Sequence, residues 1–218
     1  MINLSWTIEK KAVCQKLLLA AFLLLLVVFP VASHAGDEAI EQMRSSIDRI
    51  LAVLRRGEVV GENWEDKKKE VAAIVRDRCD SRELAQRVLA QHWKALKTEQ
   101  REHFAVLFAD VLETTYINKL KSYSDEDIAF KKQLVKGDKA FVYSVVLSKN
   151  QEIPVDYRLL KNGDEWLIYD IIIEGVSLVQ NYRKQFDQII KNEKYEGLIL
   201  RMEEKIKENR QKDREADA

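Results

Sequence analysis

The hydrophobic pattern changes period twice along the chain, and this change limits the folds that the sequence can form. Residues 37–123 carry apolar side chains at helical spacing, and the same spacing returns after residue 177. Between these parts, segments 139–149, 153–161 and 165–174 are rich in β-branched and aromatic residues that alternate with polar ones. The order of helices, strands and helices predicts an α+β fold in which helices cover one sheet.

The predicted sheet is a four-stranded antiparallel meander. Its first strand is expected over 127–135, and short polar turns at 137–138, 149–152 and 162–164 separate the strands. Each strand has an apolar face, and an apolar face must be covered by another layer. We therefore expect the N-terminal and C-terminal helices to pack against this sheet.

Helical spacing predicts four helices ahead of the sheet and a helical segment after it. Two helix starts carry capping boxes, Asp80 with Glu83 and Ser177 with Gln180. Only 7 Gly and 2 Pro occur in 218 residues, so long elements are expected. Segment 205–218 is almost entirely polar, which predicts a charged flexible tail. The predicted helices ahead of the sheet span residues 37–56, 64–78, 80–93 and 98–123.

The first 35 residues have the organisation of a secretory signal peptide. Lysines precede the apolar run 17–28, and Ser33 and Ala35 place small residues at the −3 and −1 positions of a cut. A membrane anchor is the alternative, but a spanning helix needs about 20 apolar residues, and this run is shorter and followed by Pro30. We expect cleavage after Ala35, export, and one domain over 36–204.

Composition argues against several functional classes. Lys and Arg number 36 and Asp and Glu number 36, so there is no basic excess for a nucleic-acid partner. Cleavage would leave Cys79 as the single cysteine, which excludes an intramolecular disulfide and a CxxC zinc site and weakly favours a bacterial periplasm. His92 and His103 have no cysteine or carboxylate framework around them, so no metal site is expected.

Catalytic motifs are also missing from the sequence. Ser177 follows Gly175, but Val179 occupies the position of the second glycine of a nucleophile elbow, so Ser177 is interpreted as a helix cap. If the protein were an enzyme, Asp170 would be its candidate general acid or base. The many large apolar side chains fit two interpretations, an ordinary core and a ligand cavity, and the pattern leaves both open.

A family resemblance rests on several short stretches. These are PVDYRL at 154–159, IEGVSL at 173–178 and NYR at 181–183, with Trp166 between the first two. Together with the helices from Asp80 onward, they resemble the MlaC family of periplasmic phospholipid-binding proteins, also called toluene-tolerance auxiliary proteins. The N-terminal helices match loosely, and Ala90 stands where many members carry glycine.

The resemblance implies an NTF2-like sheet joined to a helical part, with an internal apolar cavity for the acyl tails and the headgroup left in water. It implies a monomeric periplasmic carrier without cofactor or catalytic residues. The carrier would move phospholipid between an outer-membrane lipoprotein–porin complex and an inner-membrane ABC transporter, and so maintain outer-membrane lipid asymmetry. Hopanoids are an alternative cargo within the family.

Strand alternation and the helical stripes select the side chains that would line such a cavity. A carrier of lipoproteins or outer-membrane proteins would also need an apolar cavity, and an NTF2-like enzyme would need Asp170 inside it. The side chains expected to line the cavity are Phe108, Leu112, Tyr116, Phe141, Tyr143, Val145, Val155, Tyr157, Leu159, Trp166, Ile168, Val176 and Tyr182.

Overall fold

The computed structural model of the protein describes residues 38–56, 63–117, 120, 127–148 and 151–216. Within these segments, helices come first, an antiparallel sheet follows, and a long helical segment comes after the sheet. The predicted α+β fold is therefore confirmed. The predicted signal peptide, the end of the fourth predicted helix and the 149–150 connection lie outside the described residues.

The helices ahead of the sheet start at predicted positions, but one of them ends early. Asp80 accepts a hydrogen bond from the Glu83 backbone N–H at 2.8 Å, which is one half of the predicted capping box, while the Asp80 N–H donates to the Ile168 carbonyl and not to the Glu83 side chain. The third helix was expected to reach Trp93, yet it ends at Leu89 because Ala90 has a φ of 47°. The helices are α1 (Glu38–Arg55), α2 (Trp64–Arg78), α3 (Ser81–Leu89) and α4 (Thr98–Tyr116), and a 3-10 helix (Ala90–Ala95) joins α3 to α4.

The sheet contains five antiparallel strands in the described part of the chain, one more than predicted. They are β1 (Asp127–Lys136), β2 (Lys139–Ser148), β3 (Gln151–Asn162), β4 (Glu165–Ile173) and β5 (Val176–Ser177), in the order β1-β2-β3-β4-β5. Strand β5 pairs with the end of β4 through Ile172 opposite Ser177. Ser177 is also the predicted helix cap, and two residues are too few for an alternating pattern, so the pattern gave no signal for this strand.

The register of β2 against β3 determines which side chains share a face. Val142 lies opposite Tyr157, and Phe141 lies opposite Arg158. Since opposite residues in an antiparallel pair point to the same side, odd positions of β2 share a face with even positions of β3. One face, here called the α1 face, carries Ala140, Val142, Tyr157, Leu159, Trp166 and Ile168. The other, here called the aromatic face, carries Phe141, Tyr143, Val145, Arg158 and Asp170.

Helix α1 covers the α1 face and forms a closed hydrophobic core with it. Val142 and Leu159 are fully buried there, and Trp166 is nearly so. Burial in this core also raises the pKa of Tyr157 to about 12. The helical side of this core consists of Ala39, Ile40, Met43, Ile47 and Leu51.

A second core forms among the helices. It is here called the helical cluster and is built from α3, α4 and the helical segment after the sheet, α5 (Leu178–Ala216). Phe104, Phe108 and Phe186 lie at its centre, with ring centroids 5.7 to 6.0 Å apart. The two cores lie on different elements, so the sheet and the helices each have their own packed interior.

Helix α5 continues through most of the segment predicted to be a flexible tail. Its backbone breaks once, at Lys194 with φ 62°, and then stays helical to Ala216. Ile206 and Asn209 are buried, and Asn209 Nδ2 donates to Thr114 Oγ1 at 3.3 Å. None of the described helices contains an apolar stretch long enough to cross a bilayer. The boundaries predicted for the signal peptide and the domain remain predictions.

Asp187 on α5 links that helix to the 3-10 helix and gives a prediction about acid stability. It bonds Lys191 Nζ at 2.6 Å and His92 Nε2 at 2.8 Å, and these bonds lower the pKa of Asp187 from 3.8 to about 2. A depressed pKa stabilises the fold above pH 3.8, and this contribution is lost as the pH falls through about 2. We expect Asp187→Asn to lower the melting temperature at pH 5 and to match the parent protein at the acid limit, as measured by thermal unfolding across that pH range.

Asp48 on α1 provides the control for this measurement, because it is exposed and makes no ion pair with the described residues. Asp48→Asn should leave the melting temperature unchanged at both pH values. A deficit of Asp187→Asn that stays constant with pH would contradict the electrostatic explanation.

Candidate functional site

The aromatic face carries two neighbouring rings that are only half-buried. The ring centroids of Phe141 and Tyr143 lie 4.5 Å apart. The Arg158 guanidinium lies 5.7 Å from the Phe141 ring centroid, and Lys132 Nζ lies 4.7 Å from that of Tyr143. Side chains at these positions would be polar if the face were simply solvated. The face therefore offers an apolar surface with cations beside it.

Asp170 joins this face to the start of α5. Its Oδ2 accepts hydrogen bonds from Arg158 Nη1 and from Ser177 Oγ, each at 2.7 Å. Its Oδ1 accepts from the Val179 backbone N–H at 3.1 Å. Ser177 Oγ in turn accepts from the Gln180 N–H at 3.1 Å, as the predicted cap requires. The first turn of α5 is therefore fixed on the same side of the sheet as Phe141.

These contacts bear on the alternative that the protein is an enzyme. The Asp170 side chain is 2% exposed, and its two oxygens accept three hydrogen bonds, one of them from a cation. A general acid or base must instead reach the proton that it transfers. The geometry gives Asp170 a structural role. No cluster of residues able to hold a metal ion occurs among the residues that the structure describes.

Helices α4 and α5 carry a further group of aromatic side chains, close to the start of α5. Tyr182 lies one turn beyond Val179, and its ring centroid is 5.2 Å from that of Phe108. Its hydroxyl hydrogen-bonds with Tyr116, and burial raises the pKa of Tyr182. Leu112 packs against the same cluster. Phe108, Leu112, Tyr116 and Tyr182 thus form a helical counterpart to the aromatic face.

The structure divides the predicted lining residues into separate groups. Phe141, Tyr143 and Val145 lie on the aromatic face. Phe108, Leu112 and Tyr182 lie in or against the helical cluster, and Tyr116 hydrogen-bonds with Tyr182. Val176 on β5 is 60% exposed and belongs to neither group. The remaining five, Val155, Tyr157, Leu159, Trp166 and Ile168, contribute to the core under α1.

The prediction that this last group shares a face with Phe141 is wrong. It assumed that the apolar set of every strand points to the same side. Residues facing each other across β2 and β3 have numbers whose sum is odd, as in Val142 opposite Tyr157, so odd positions on both strands cannot share a face. Strand β2 is apolar on both sides, and alternation alone could not show which side packs under α1.

Sequence analysis also missed the charged members of the site. The sequence analysis selected neither Lys132 nor Arg158, although each lies over an aromatic ring. Their alternation with apolar neighbours gave no signal, because a solvated face has the same pattern. One surface cleft of about 370 Å³ lies between α2, α4 and α5, but charged side chains such as Lys68, Asp110 and Arg210 line it. Such a lining does not suit an acyl chain.

Taken together, the described residues form an α+β protein in which α1 covers one face of an antiparallel sheet, α5 begins on the other face, and a separate cluster of aromatic side chains lies among the helices. Comparison with known proteins gives the family. A family model described as MlaC protein matches residues 44–204, about three quarters of the chain. The chain belongs to the MlaC family.

Two relatives are informative. The intermembrane phospholipid transport system binding protein MlaC of Haemophilus influenzae is 27% identical over 124 residues, covering 54% of this chain and 58% of that protein. The match thus spans little more than half of that relative's length. The phospholipid-binding protein from Ralstonia solanacearum, solved in complex with a phospholipid, superposes with a TM-score of 0.70 at 24% identity. It covers 78% of this chain and 98% of its own, and it shares the fold.

Proposed function

We propose that the protein binds a phospholipid between the aromatic face and the helical cluster and carries it through the periplasm. The observation that supports this proposal most directly is the half-buried pair of Phe141 and Tyr143, which lies on the side of the sheet where α5 begins. Membership of the MlaC family and the names of the two relatives support a lipid cargo. An apolar internal cavity between these surfaces is part of the proposal.

The energetics of a lipid cargo explain why such a protein needs no catalytic group. Two acyl tails bury roughly 30 methylenes, which at about 0.8 kcal/mol each gives a gross stabilisation of about 24 kcal/mol. Release of the lipid into water would be negligibly slow. The cargo would therefore leave along a continuous apolar path at a docked partner, and any energy input would come from that partner.

The proposed partners and location follow from the same role. Residues 1–35 would direct export, and the mature protein would work as a monomer in the periplasm. It would exchange lipid with an inner-membrane ABC transporter complex and an outer-membrane lipoprotein–porin complex, and so maintain lipid asymmetry. No catalytic step is assigned to the protein, and its ligand is a cargo rather than a cofactor.

Native mass spectrometry of protein purified from periplasm tests this function. We expect one bound phospholipid per chain, identified after extraction. A bound hopanoid would replace phospholipid as the cargo and overturn the phospholipid assignment. A bound polypeptide, or empty protein that takes up no added lipid, would overturn lipid carriage.

A matched pair of variants tests the location of the cargo. Tyr143→Glu places a charge on the aromatic face and should abolish lipid binding, because even a carboxylate paired with Lys132 on the opposite strand would have to lose its water to acyl chains. Val135→Glu places the same charge on the same hairpin but on the opposite face, opposite Ala140. Val135 is 46% exposed, so this control should fold and keep its lipid. Equal lipid content in both variants, measured by native mass spectrometry, would refute the assigned face.

A further inference from the structure

The β1–β2 hairpin presents lysines and an exposed leucine beside the aromatic pair. Cross-strand pairing puts Lys132 opposite Tyr143, Leu134 opposite Phe141 and Lys136 opposite Lys139. Because opposite residues share a face, all six side chains lie on the aromatic face. We call the four residues Lys132, Leu134, Lys136 and Lys139 the basic hairpin face.

These charges are not neutralised by neighbouring carboxylates. All three lysines are exposed, and none lies within ion-pair distance of a carboxylate of the described residues. Lys136 and Lys139 also occupy directly opposite positions, an arrangement in which like charges repel. Nearby acids are few: Asp138 lies in the turn, and Asp156 on β3 accepts from the Ser144 N–H. An external anion would relieve the repulsion between the lysines.

An apolar side chain stands among these charges. Leu134 is 58% exposed between Lys132 and Lys136 on the same side of β1. Lysines on an edge strand also prevent that strand from pairing with another chain. This role accounts for Lys132 and Lys136 on β1. It does not account for Lys139, which lies on an interior strand, or for an exposed leucine. Basic residues around an apolar side chain are typical of segments that lie on an anionic bilayer surface.

We propose that the basic hairpin face docks on the surface of an anionic phospholipid bilayer. The lysines contact lipid phosphates, and Leu134 enters the headgroup layer. This inference rests on the proposed function, since it names the partner of the face to which the cargo site is assigned. Docking in this orientation turns Phe141 and Tyr143 toward the membrane, where a lipid can pass without crossing water.

Co-sedimentation with phosphatidylglycerol vesicles tests the docking, with phosphatidylcholine vesicles as the neutral comparison. We expect binding to the anionic vesicles alone, weakening as salt is added. Each lysine near such a surface contributes about fivefold in affinity, so K136Q/K139Q should bind roughly 25-fold more weakly. Equal binding to both lipids, or no binding to either, would overturn the proposal. The lysines would then be assigned to binding an acidic protein partner.

The chain offers a control with the same change in net charge. Lys94 and Lys184 are exposed, lie in the helical part and make no ion pair with the described residues. K94Q/K184Q should bind phosphatidylglycerol vesicles like the parent protein. A loss equal to that of K136Q/K139Q would mean that overall charge, and not the hairpin, determines binding, and would overturn the proposal.

A single substitution separates docking from folding. Lys136→Glu places a carboxylate opposite Lys139, so the hairpin gains a cross-strand pair and the melting temperature should not fall. Vesicle binding should drop about 25-fold, because the net charge at the face falls by two. Retained binding would overturn the docking site.

Lipid content measured on the same samples distinguishes this proposal from the proposed function. K136Q/K139Q should keep its bound phospholipid while losing vesicle binding. A parent protein that binds vesicles but holds no lipid would overturn lipid carriage and leave the docking face intact. A parent protein that holds lipid but ignores phosphatidylglycerol vesicles would overturn the docking face alone.

Discussion

Replacing Asp170 with alanine is expected to lower the free energy of unfolding by about 3 kcal/mol, the lower end of the range for breaking a buried ion pair. The carboxylate accepts hydrogen bonds from Arg158, Ser177 and the Val179 N–H. Ser177 is buried with it, so its hydroxyl and the Val179 N–H lose their acceptor where water cannot replace it. Arg158 is about a third exposed and is partly rehydrated, which keeps the cost from being higher.

Urea unfolding of Asp170→Ala and of the control Asp48→Ala measures this effect. Asp48 is exposed on α1, and its substitution should change the free energy of unfolding by less than about 0.5 kcal/mol. If Asp170→Ala changes the free energy of unfolding as little as Asp48→Ala does, the connection between the sheet and α5 does not depend on this carboxylate. Arg158→Met, combined with Asp170→Ala in a double-mutant cycle, isolates the contribution of the ion pair.

Phe108→Ala is expected to have the largest effect on stability, about 4 kcal/mol. The ring is 1% exposed and contacts three other rings, those of Phe104, Tyr182 and Phe186. Its removal forfeits the transfer free energy of a phenyl ring and leaves a cavity that these neighbours, fixed on α4 and α5, cannot fill. The same urea titration on lipid-free protein gives the value.

Val106 provides a control on the same helix. Its side chain is 65% exposed, so Val106→Ala should change the free energy of unfolding by less than about 0.5 kcal/mol. If Phe108→Ala lowers the free energy of unfolding by less than about 1 kcal/mol, the helical cluster is not packed around this ring. Phe108 would then lie in the wall of an open cavity. That outcome would favour the sequence-based prediction of its role.

Local signals predicted the element order and the helix starts well. The N-caps at Asp80 and Ser177 were correct because a cap needs only two residues close in sequence. The end of α3 was missed, although a clue existed. The family resemblance implies glycine at this position in many members, and the Ala90 backbone adopts a positive φ that glycine favours.

The candidate site was predicted only in part, because it depends on pairing between distant residues. Whether Phe141 or Val142 faces α1 is fixed by the register of two strands, which the side-chain pattern of β2 does not contain. Arg158 was likewise not recognised as part of the site, since its partner Asp170 lies on another strand. Both features follow from cross-strand geometry and not from spacing along one segment.

Strand β2 separates the packed core under α1 from the aromatic face, and this determines which of its positions can vary. Positions 140 and 142 are buried against α1, so selection there limits side-chain volume. Positions 141, 143 and 145 are half-buried on the other side and can vary in size without disturbing that core. Substitutions can therefore change the aromatic face while the core under α1 keeps the scaffold intact.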